Sequence, residues 1–355
     1  MFDISDNQIC YDNIVTNPPW GSKLDFKEKE TLIKMYDEIS TSESFSIALY
    51  NCINNLTSKG TLTFFLPHSI LNVGTHKNIR KFLLSKNRAI KIDLLGNAFQ
   101  GVVSEAIRFT FCNEIISDSI EIFNSEQVYH LNHKEISPPD YIIQATANSL
   151  EKEILSHVFS RKYLTLKNNA EFALGIVTGN NAKHISKTKS KKNMEPIYRG
   201  KDIDPFRFLP AECFIEFHPE RYQQIASVEK YRQPKITYRF INDRIICAFD
   251  NQGRLLLNSA NLFIPKIDYP IETIVCLFNS KLYSFIYRKM FHSKKILRSH
   301  IESLPLPIIE NNQHIKFKDI YNRCCEIIDM TELDIFVYNV YDLTNVQIET
   351  IEREF

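Results

Sequence analysis

Glycine is scarce in this chain: nine residues in 355, and no two of them stand two apart. A G-x-G turn of the dinucleotide-binding kind is therefore absent from the sequence. The eight cysteines (Cys10, Cys52, Cys112, Cys213, Cys247, Cys276, Cys324, Cys325) form no C-x-x-C pair. Scattered through apolar runs, they read as core thiols of a reducing cytoplasm rather than as disulfides or a zinc site, and no metal is expected. Net charge is +1, so the overall balance says nothing about a polyanionic partner; only local patterning can. No stretch approaches ~18 uninterrupted apolar residues. The N-terminus, with Asp3 and Asp6, lacks the basic region of a signal peptide. A cytoplasmic protein with no membrane contact is expected.

What is there has two textures. Over the first 120 or so residues, strand and helix signals alternate. Asn13–Thr16 reads as a short strand, Phe26–Ile39 and Ser42–Leu56 as helices, and Thr61–Leu66 as a buried strand after a break at Lys59-Gly60. Ser69–Leu84 is helical again, and Ala89–Leu95 and Ala106–Cys112 are two further strands, able to form an antiparallel edge. Such alternation predicts an α/β layered domain with a mostly parallel sheet. From Ser137-Pro138-Pro139 onward, after a connecting helix at Ser149–Phe159, short apolar runs are punctuated by Gly and Pro: Phe172–Val177, Ile197–Arg199, Lys235–Phe240, Ile245–Phe249, Leu255–Leu257 and Leu262–Ile264. These predict a β-rich second domain. Helices return at Ile271–Phe291, Ile315–Ile328 and Asn345–Glu352. The expected division is 1–135, 136–310 and a C-terminal helical segment 311–355.

The chemistry is densest at Asn17-Pro18-Pro19-Trp20, where the first strand ends. Two prolines fix φ and remove two backbone donors, so the turn offers carbonyl oxygens as acceptors. The Asn amide adds an acceptor and the indole a flat face. That set suits a planar base with an exocyclic amino group. A strand-ending turn with an incidental Trp is the plainer reading, and the ordered context of helix, Lys-Gly, buried strand and Pro weighs against it.

On these residues the sequence resembles the γ-type, TaqI-like DNA adenine-N6 methyltransferases of restriction–modification systems. Asn17–Trp20 looks like the family's target-amine motif; Ser44–Leu66 is similar to its helix and G-x-L-x-hydrophobic strand, and Leu66–Leu71 to the strand exit. Asn97–Ala106 looks like the later motif, whose Phe packs on the extruded base. Tyr198–Ile203, Leu277–Leu282 and Leu304–Pro307 resemble recurring phrases of the family's target-recognition domain. The tail Val340–Thr344 resembles the usual end of such proteins, so the C-terminus is expected to be complete. The resemblance implies a partial class I methyltransferase (Rossmann-like) sheet followed by an α+β, β-rich recognition domain. It implies that Asn17 and the Pro18 carbonyl accept the two N6 hydrogens of a flipped adenine, with Pro19 completing the turn. Trp20 would stack on one face of the base and Phe99 on the other, although a lone Phe between strands reads equally well as core. Methyl transfer from S-adenosylmethionine needs no strong base here, because proximity and lone-pair orientation do most of the work.

Two basic segments add an electrostatic signature. Between Thr273 and Ile301 there is no Asp or Glu, while Lys281, Arg288, Lys289, Lys294, Lys295 and Arg298 all occur among packing residues. Lys183, Lys187, Lys189, Lys191 and Lys192 form the second run. A lysine run alone reads as a solvated loop; two in one β-rich domain point to a cleft for duplex DNA. Arg199, Lys201, Lys235, Arg239 and Arg244 add to it.

The departure from the family lies at the front. Its members place a glycine-rich loop, an acidic ribose-binding residue and two or three strands before the Asn-Pro-Pro turn, where this sequence has sixteen residues. In that fold the strand before Asn17 is central, so Asn13–Thr16 should expose an unpaired edge. The expectation is a split enzyme: a second subunit with the glycine-rich half holds S-adenosylmethionine, largely outside this chain. Two alternatives stay open, a DNA-binding specificity subunit without catalysis and an inactive truncated remnant. No D…E-x-K nuclease cluster is present, so any restriction would fall to a separate endonuclease.

Overall fold

The fold is that of a computed structural model, described for residues 10–355 other than 22, 23, 100–104, 125–127, 137, 139, 146, 292 and 328. The chain divides into two compact units, 1–149 and 150–355. The boundary expected near 135 thus falls at 149, and 311–355 belongs to the second unit, where its helices pack on Ile271–Asn279 and Lys281–Phe291. No helix among the described residues is long and apolar enough to cross a membrane.

In the first unit, β1 (Tyr11–Thr16) is followed by α1 (Phe26–Met35), α2 (Ser44–Asn54), β2 (Leu56–Pro67), α3 (Lys77–Ser85), β3 (Arg88–Gly96), β4 (Ala106–Ile116), β5 (Ser119–Phe123) and β6 (Val128–Asn132). Helix α1 starts where Asp25 accepts from the Glu28 N–H and Glu28 reaches back to the Asp25 N–H, each at 2.8 Å. The strands form one six-stranded sheet in the order β1-β2-β4-β3-β5-β6. It is mixed rather than mostly parallel: β1–β2 and β3–β5 are parallel, the other three pairings antiparallel. The β3–β4 pair is antiparallel as its short connection dictates, but β4 inserts between β2 and β3 instead of lying at an edge.

Alternation along the strands builds the core. Leu62, Phe64 and Leu66 of β2, Ile90 and Ile92 of β3, and Ile107, Phe109 and Phe111 of β4 are buried with Phe45, Ile47 and Leu49 of α2 and Ile79, Phe82 and Leu83 of α3. Thr63 and Phe65, on the opposite face of β2, are half-buried. Lys59-Gly60 does not break the helix; α2 ends at Asn54 and both residues lie inside β2. Gly60 sits where the β1–β2 register shifts between Tyr11 and Asn13, and a Cβ there would meet the Tyr11 carbonyl at 2.9 Å. Inside the unit the fully buried Arg80 donates to the carbonyls of Ile70 (2.7 Å), Val73 (2.9 Å) and Asp140 (2.6 Å), which ties the exit of β2 to a distant loop.

The second unit, opened by α4 (Ser149–Ser160), holds an antiparallel four-stranded sheet: Cys247–Asp250, Lys235–Arg239, Ala260–Pro265 and Ala170–Leu174. A smaller sheet carries Met194–Tyr198 and Phe214–Glu216. The expected helix Ile271–Phe291 is two, Ile271–Asn279 and Lys281–Phe291. Ser280 is extended at the junction, and the buried Asn279 amide takes both backbone groups of Cys247, at 3.0 and 2.9 Å. Gly175 has no room for a side chain: a Cβ would stand 2.1 Å from the Leu257 carbonyl and 2.4 Å from that of Ala260. Because the obstacles are backbone, Gly175→Ala should cost the second unit about 3 kcal/mol, read as a lowered midpoint in thermal unfolding.

Candidate active site and nucleic-acid interface

Strand β1 delivers Asn17 to the end of the sheet's outermost parallel pair. Its last rungs are Val15↔Thr63 and Thr16↔Phe64. Pro18 is buried, whereas Asn17 and Pro19 are exposed. The Asn17 side chain is engaged by no group among the described residues, so its carbonyl oxygen is free to accept. The turn itself is held from two sides. The Ser44 hydroxyl, in the first turn of α2, donates to the Pro19 carbonyl at 2.8 Å. Trp20 Nε1 donates to the Phe65 carbonyl at 3.3 Å. Ser44 acts here as a support that the sequence marks only as the start of a helix.

Trp20, Phe65 and Phe99 form a chain of perpendicular rings. Trp20 and Phe99 stand 5.6 Å apart at 84°, Phe65 and Phe99 6.1 Å apart at 85°. A base held between two faces needs parallel rings with a base-thick gap. In this arrangement Phe99 and Trp20 instead meet edge to face, a favourable aromatic contact in its own right. The two-sided stack read from the sequence is therefore absent from this conformation; Trp20 offers one face, and Phe99 closes on it. The rest of the later motif, Gln100–Ser104, lies outside the described residues.

The outer edge of β1 is unpaired among the described residues, since β2 is its single partner. Val15 is 72% exposed and Tyr11 48%. Two large apolar side chains on an open strand edge make a surface for a further strand.

In the second unit the basic residues singled out from the sequence sort into three groups. Lys235 is fully buried, with its ammonium on Asp250 and the Tyr231 carbonyl. A charge held there cannot reach a phosphate, so Lys235 leaves the DNA-facing set. Others are committed to carboxylates: Arg199 to Asp202 (2.9 Å) and Glu212 (2.5 Å), Lys201 to Glu212 (2.7 Å), Lys281 to Glu352 (2.5 Å), Arg288 to Asp243 (2.8 Å) and Arg298 to Glu302 (2.8 Å). Arg239 donates to the Ile203 carbonyl at 2.8 Å and lies 3.5 Å from Asp204. Two carboxylates show the pairing in their titration: Glu212 is drawn down to about 2 by Lys201 and Arg199, and Glu216 to about 2 by Lys191 and Asn193. Lys183, Lys187, Lys189, Lys192, Lys294 and Lys295 are exposed and form no ion pair among the described residues. These six, of the lysines singled out, are free to meet a polyanion.

Fold and site together define a unit that presents an Asn-Pro-Pro-Trp turn, followed by a β-rich unit with free lysines. Residues 1–100 match the family described as Eco57I restriction-modification methylase, and residues 195–306 the TaqI-like C-terminal specificity domain. Type II methyltransferase M.VspI of Vibrio sp. (strain 343) is 30% identical over 205 residues, 54% of this chain and 48% of that protein. M.HincII of Haemophilus influenzae is 28% identical over 135 residues, 36% of this chain and 27% of its own. Among solved structures, the Type IIL restriction-modification enzyme MmeI in complex with DNA superposes with a TM-score of 0.62 at 12% identity, over 96% of this chain and 56% of that one. A nuclease-deletion mutant of the Type ISP enzyme LlaGI with a DNA substrate mimic gives 0.56 at 11%, over 88% and 41%. At such identities these two show a shared fold. The chain is thus similar to restriction–modification methyltransferases: its first unit matches a methylase family over residues 1–100 and its second a TaqI-like specificity domain over residues 195–306. It spans about half the length of M.VspI and about a quarter of M.HincII.

Proposed function

We propose that this chain supplies the target-base side of a site-specific DNA adenine-N6 methyltransferase of a restriction–modification system. The observation that carries the reading is the uncommitted Asn17 amide, exposed at the end of β1 three residues before Trp20. Asn17 and the Pro18 carbonyl accept the two amino hydrogens of an extruded adenine, which fixes the amine's lone pair in one direction. Trp20 supplies a stacking face worth roughly 1–3 kcal/mol. Phe99 takes the other face only after swinging out of its edge contact with the indole.

S-adenosylmethionine is the donor that the methylase homology implies, and it supplies the methyl group. The described residues do not build its cradle: no two glycines are spaced as a nucleoside-binding turn requires, and the open edge of β1 stands where a neighbouring strand would carry one. The donor is held by strands that pair with that edge, from elsewhere in the same polypeptide or from a second chain. Co-purification of a glycine-rich, S-adenosylmethionine-binding polypeptide is the expected result where the edge is covered in trans.

The six free lysines hold the duplex by its phosphates. Lys294→Gln and Lys295→Gln should each weaken duplex binding and reduce the slope of log affinity against log salt by about one. Lys281→Gln, whose charge is already neutralised by Glu352, should leave that slope unchanged. Sequencing modified bases in host DNA, with and without the gene, tests the whole reading. Loss of N6-methyladenine at one sequence motif is the expected outcome, and an unchanged pattern overturns it.

A further inference from the structure

The second unit carries an open cavity of ≈ 580 Å³ whose walls have no part in the site above. Its floor spans three adjacent strands of the four-stranded sheet, with Phe172 from the outer strand, Asn261 from the next and Tyr238 from the third. Phe240 and Leu297 line it from the side, and Arg298 and Glu302 of the short helix Arg298–Ser303 close it. The volume falls in the range of small-molecule sites, roughly 300–1,000 Å³.

Three features fix the chemistry of an occupant. Phe240 is half-buried and keeps ring surface toward the cavity, while Phe172, stacked on Phe263 at 5.6 Å, belongs to the floor. The Arg298 guanidinium lies over the Phe172 ring at 5.0 Å and bonds Glu302 at 2.8 Å, which puts donors and an acceptor side by side above an aromatic floor. The rim is cationic. Residues 294–296 pair with 240–242, through Ile296 N–H to the Phe240 carbonyl (2.8 Å) and Asn242 N–H to the Lys294 carbonyl (2.9 Å), and the ammoniums of Lys294 and Lys295 there are free among the described residues. A planar ring with hydrogen-bonding edges, attached to a polyanion, satisfies all three. An apolar side chain of a protein partner would use the rings and leave the Arg298–Glu302 pair and both lysines without a role.

We infer that this cavity binds one unstacked nucleobase of the DNA, as a second base-holding site apart from the Asn17 turn. The ring stacks on Phe240, Arg298 and Glu302 bond its edge above Phe172, and Lys294 and Lys295 hold the flanking phosphates. The inference rests on the reading of the chain as DNA-binding.

The test uses the full chain with two duplexes, one fully paired and one with a single bulged thymine, which is replaced by 5-iodouracil for photo-crosslinking. The bulged duplex should bind at least about 5-fold more tightly, the low end of base–aromatic stacking. Its adduct should map to Phe240, and Phe240→Ala should erase the preference while affinity for the paired duplex stays as in wild type. Phe240→Leu serves where Phe240→Ala perturbs the fold by circular dichroism. An adduct at Trp20 or Phe99, a preference that survives both substitutions, or no preference for the bulge overturns the second site and leaves DNA binding standing. Saturation of the same cavity by free thymidine monophosphate at equal affinity also overturns it, because the polymer would then add nothing. Failure to bind either duplex removes the DNA reading and this inference with it.

Discussion

Replacing Asn17 by alanine should lower methyl transfer by about a hundredfold or more, with DNA affinity and stability at the wild-type level. The stability half follows from the structure: Asn17 is exposed and its amide bonds nothing among the described residues, so removing it orphans no partner. The rate half follows from the proposal. With one acceptor gone, the amine keeps only the Pro18 carbonyl, rotates, and spends most of its time with the lone pair misdirected. The loss should appear in kcat rather than KM, since base stacking on Trp20 and phosphate contacts in the second unit are untouched. The assay is transfer of labelled methyl to duplex DNA, run with whatever polypeptide covers the β1 edge. A variant that methylates at the wild-type rate would reduce the turn to a structural role. Trp20→Phe separates the neighbouring contributions: it keeps a stacking face and loses the 3.3 Å bond to the Phe65 carbonyl.

The turn was legible in the sequence because its residue types act locally. Two prolines, an amide and an indole at the end of a strand have the same meaning in any context. Strand and helix positions were legible for a related reason: period-2 and period-3.6 patterns report which face is buried, so Lys235–Phe240 and Asn345–Glu352 match elements Lys235–Arg239 and Asn345–Glu352. Strand order was not, because the insertion of β4 between β2 and β3 depends on partners far apart in sequence. Strands β5 and β6, five residues each, were not read from the sequence.

The basic residues failed differently. Sequence shows the sign of a charge but not whether a carboxylate has claimed it. Arg199 and Lys201 stand in a phrase that resembles the family's recognition domain, yet the structure makes that phrase a joint. Arg199 bonds Asp202 three residues on, and Gly200 lies so close to the Ser259 carbonyl that a Cβ would stand 2.3 Å away. The Leu277–Leu282 phrase is likewise the junction at which Asn279 pins two helices to Cys247. Recurring phrases of this kind mark where the fold is fastened, and the free lysines at 183–192 and 294–295 lie outside them.

Lys235 makes the sharpest case, and its partner the larger prediction. Asp250→Ala should destabilise the second unit by about 3–5 kcal/mol, and Lys235→Met by clearly less. The asymmetry lies in the bonds left behind. Asp250 serves four donors: the Lys235 ammonium, the backbone N–H groups of Gln252 and Arg254, and the Arg254 guanidinium, the last three at 2.9 Å. Removing it strands a wholly buried ammonium with only the Tyr231 carbonyl and unties the turn in which Gly253 stands at φ +67°. Removing Lys235 leaves the carboxylate three donors. Burial pushes the Asp250 carboxyl up, but Lys235 and the two backbone N–H groups outweigh it and hold its pKa below the usual 3.8. A carboxylate favoured in the folded state contributes stability that is present above 3.8 and lost as pH falls from there through its lowered value, so Asp250→Ala should flatten that part of the acid limb. The single tryptophan, Trp20, lies in the first unit. Its fluorescence transition should stay in place while the far-ultraviolet circular dichroism transition of the second unit shifts. Equal losses for the two variants would mean that the ion pair, and not the Asp250-centred turn, holds this corner of the fold.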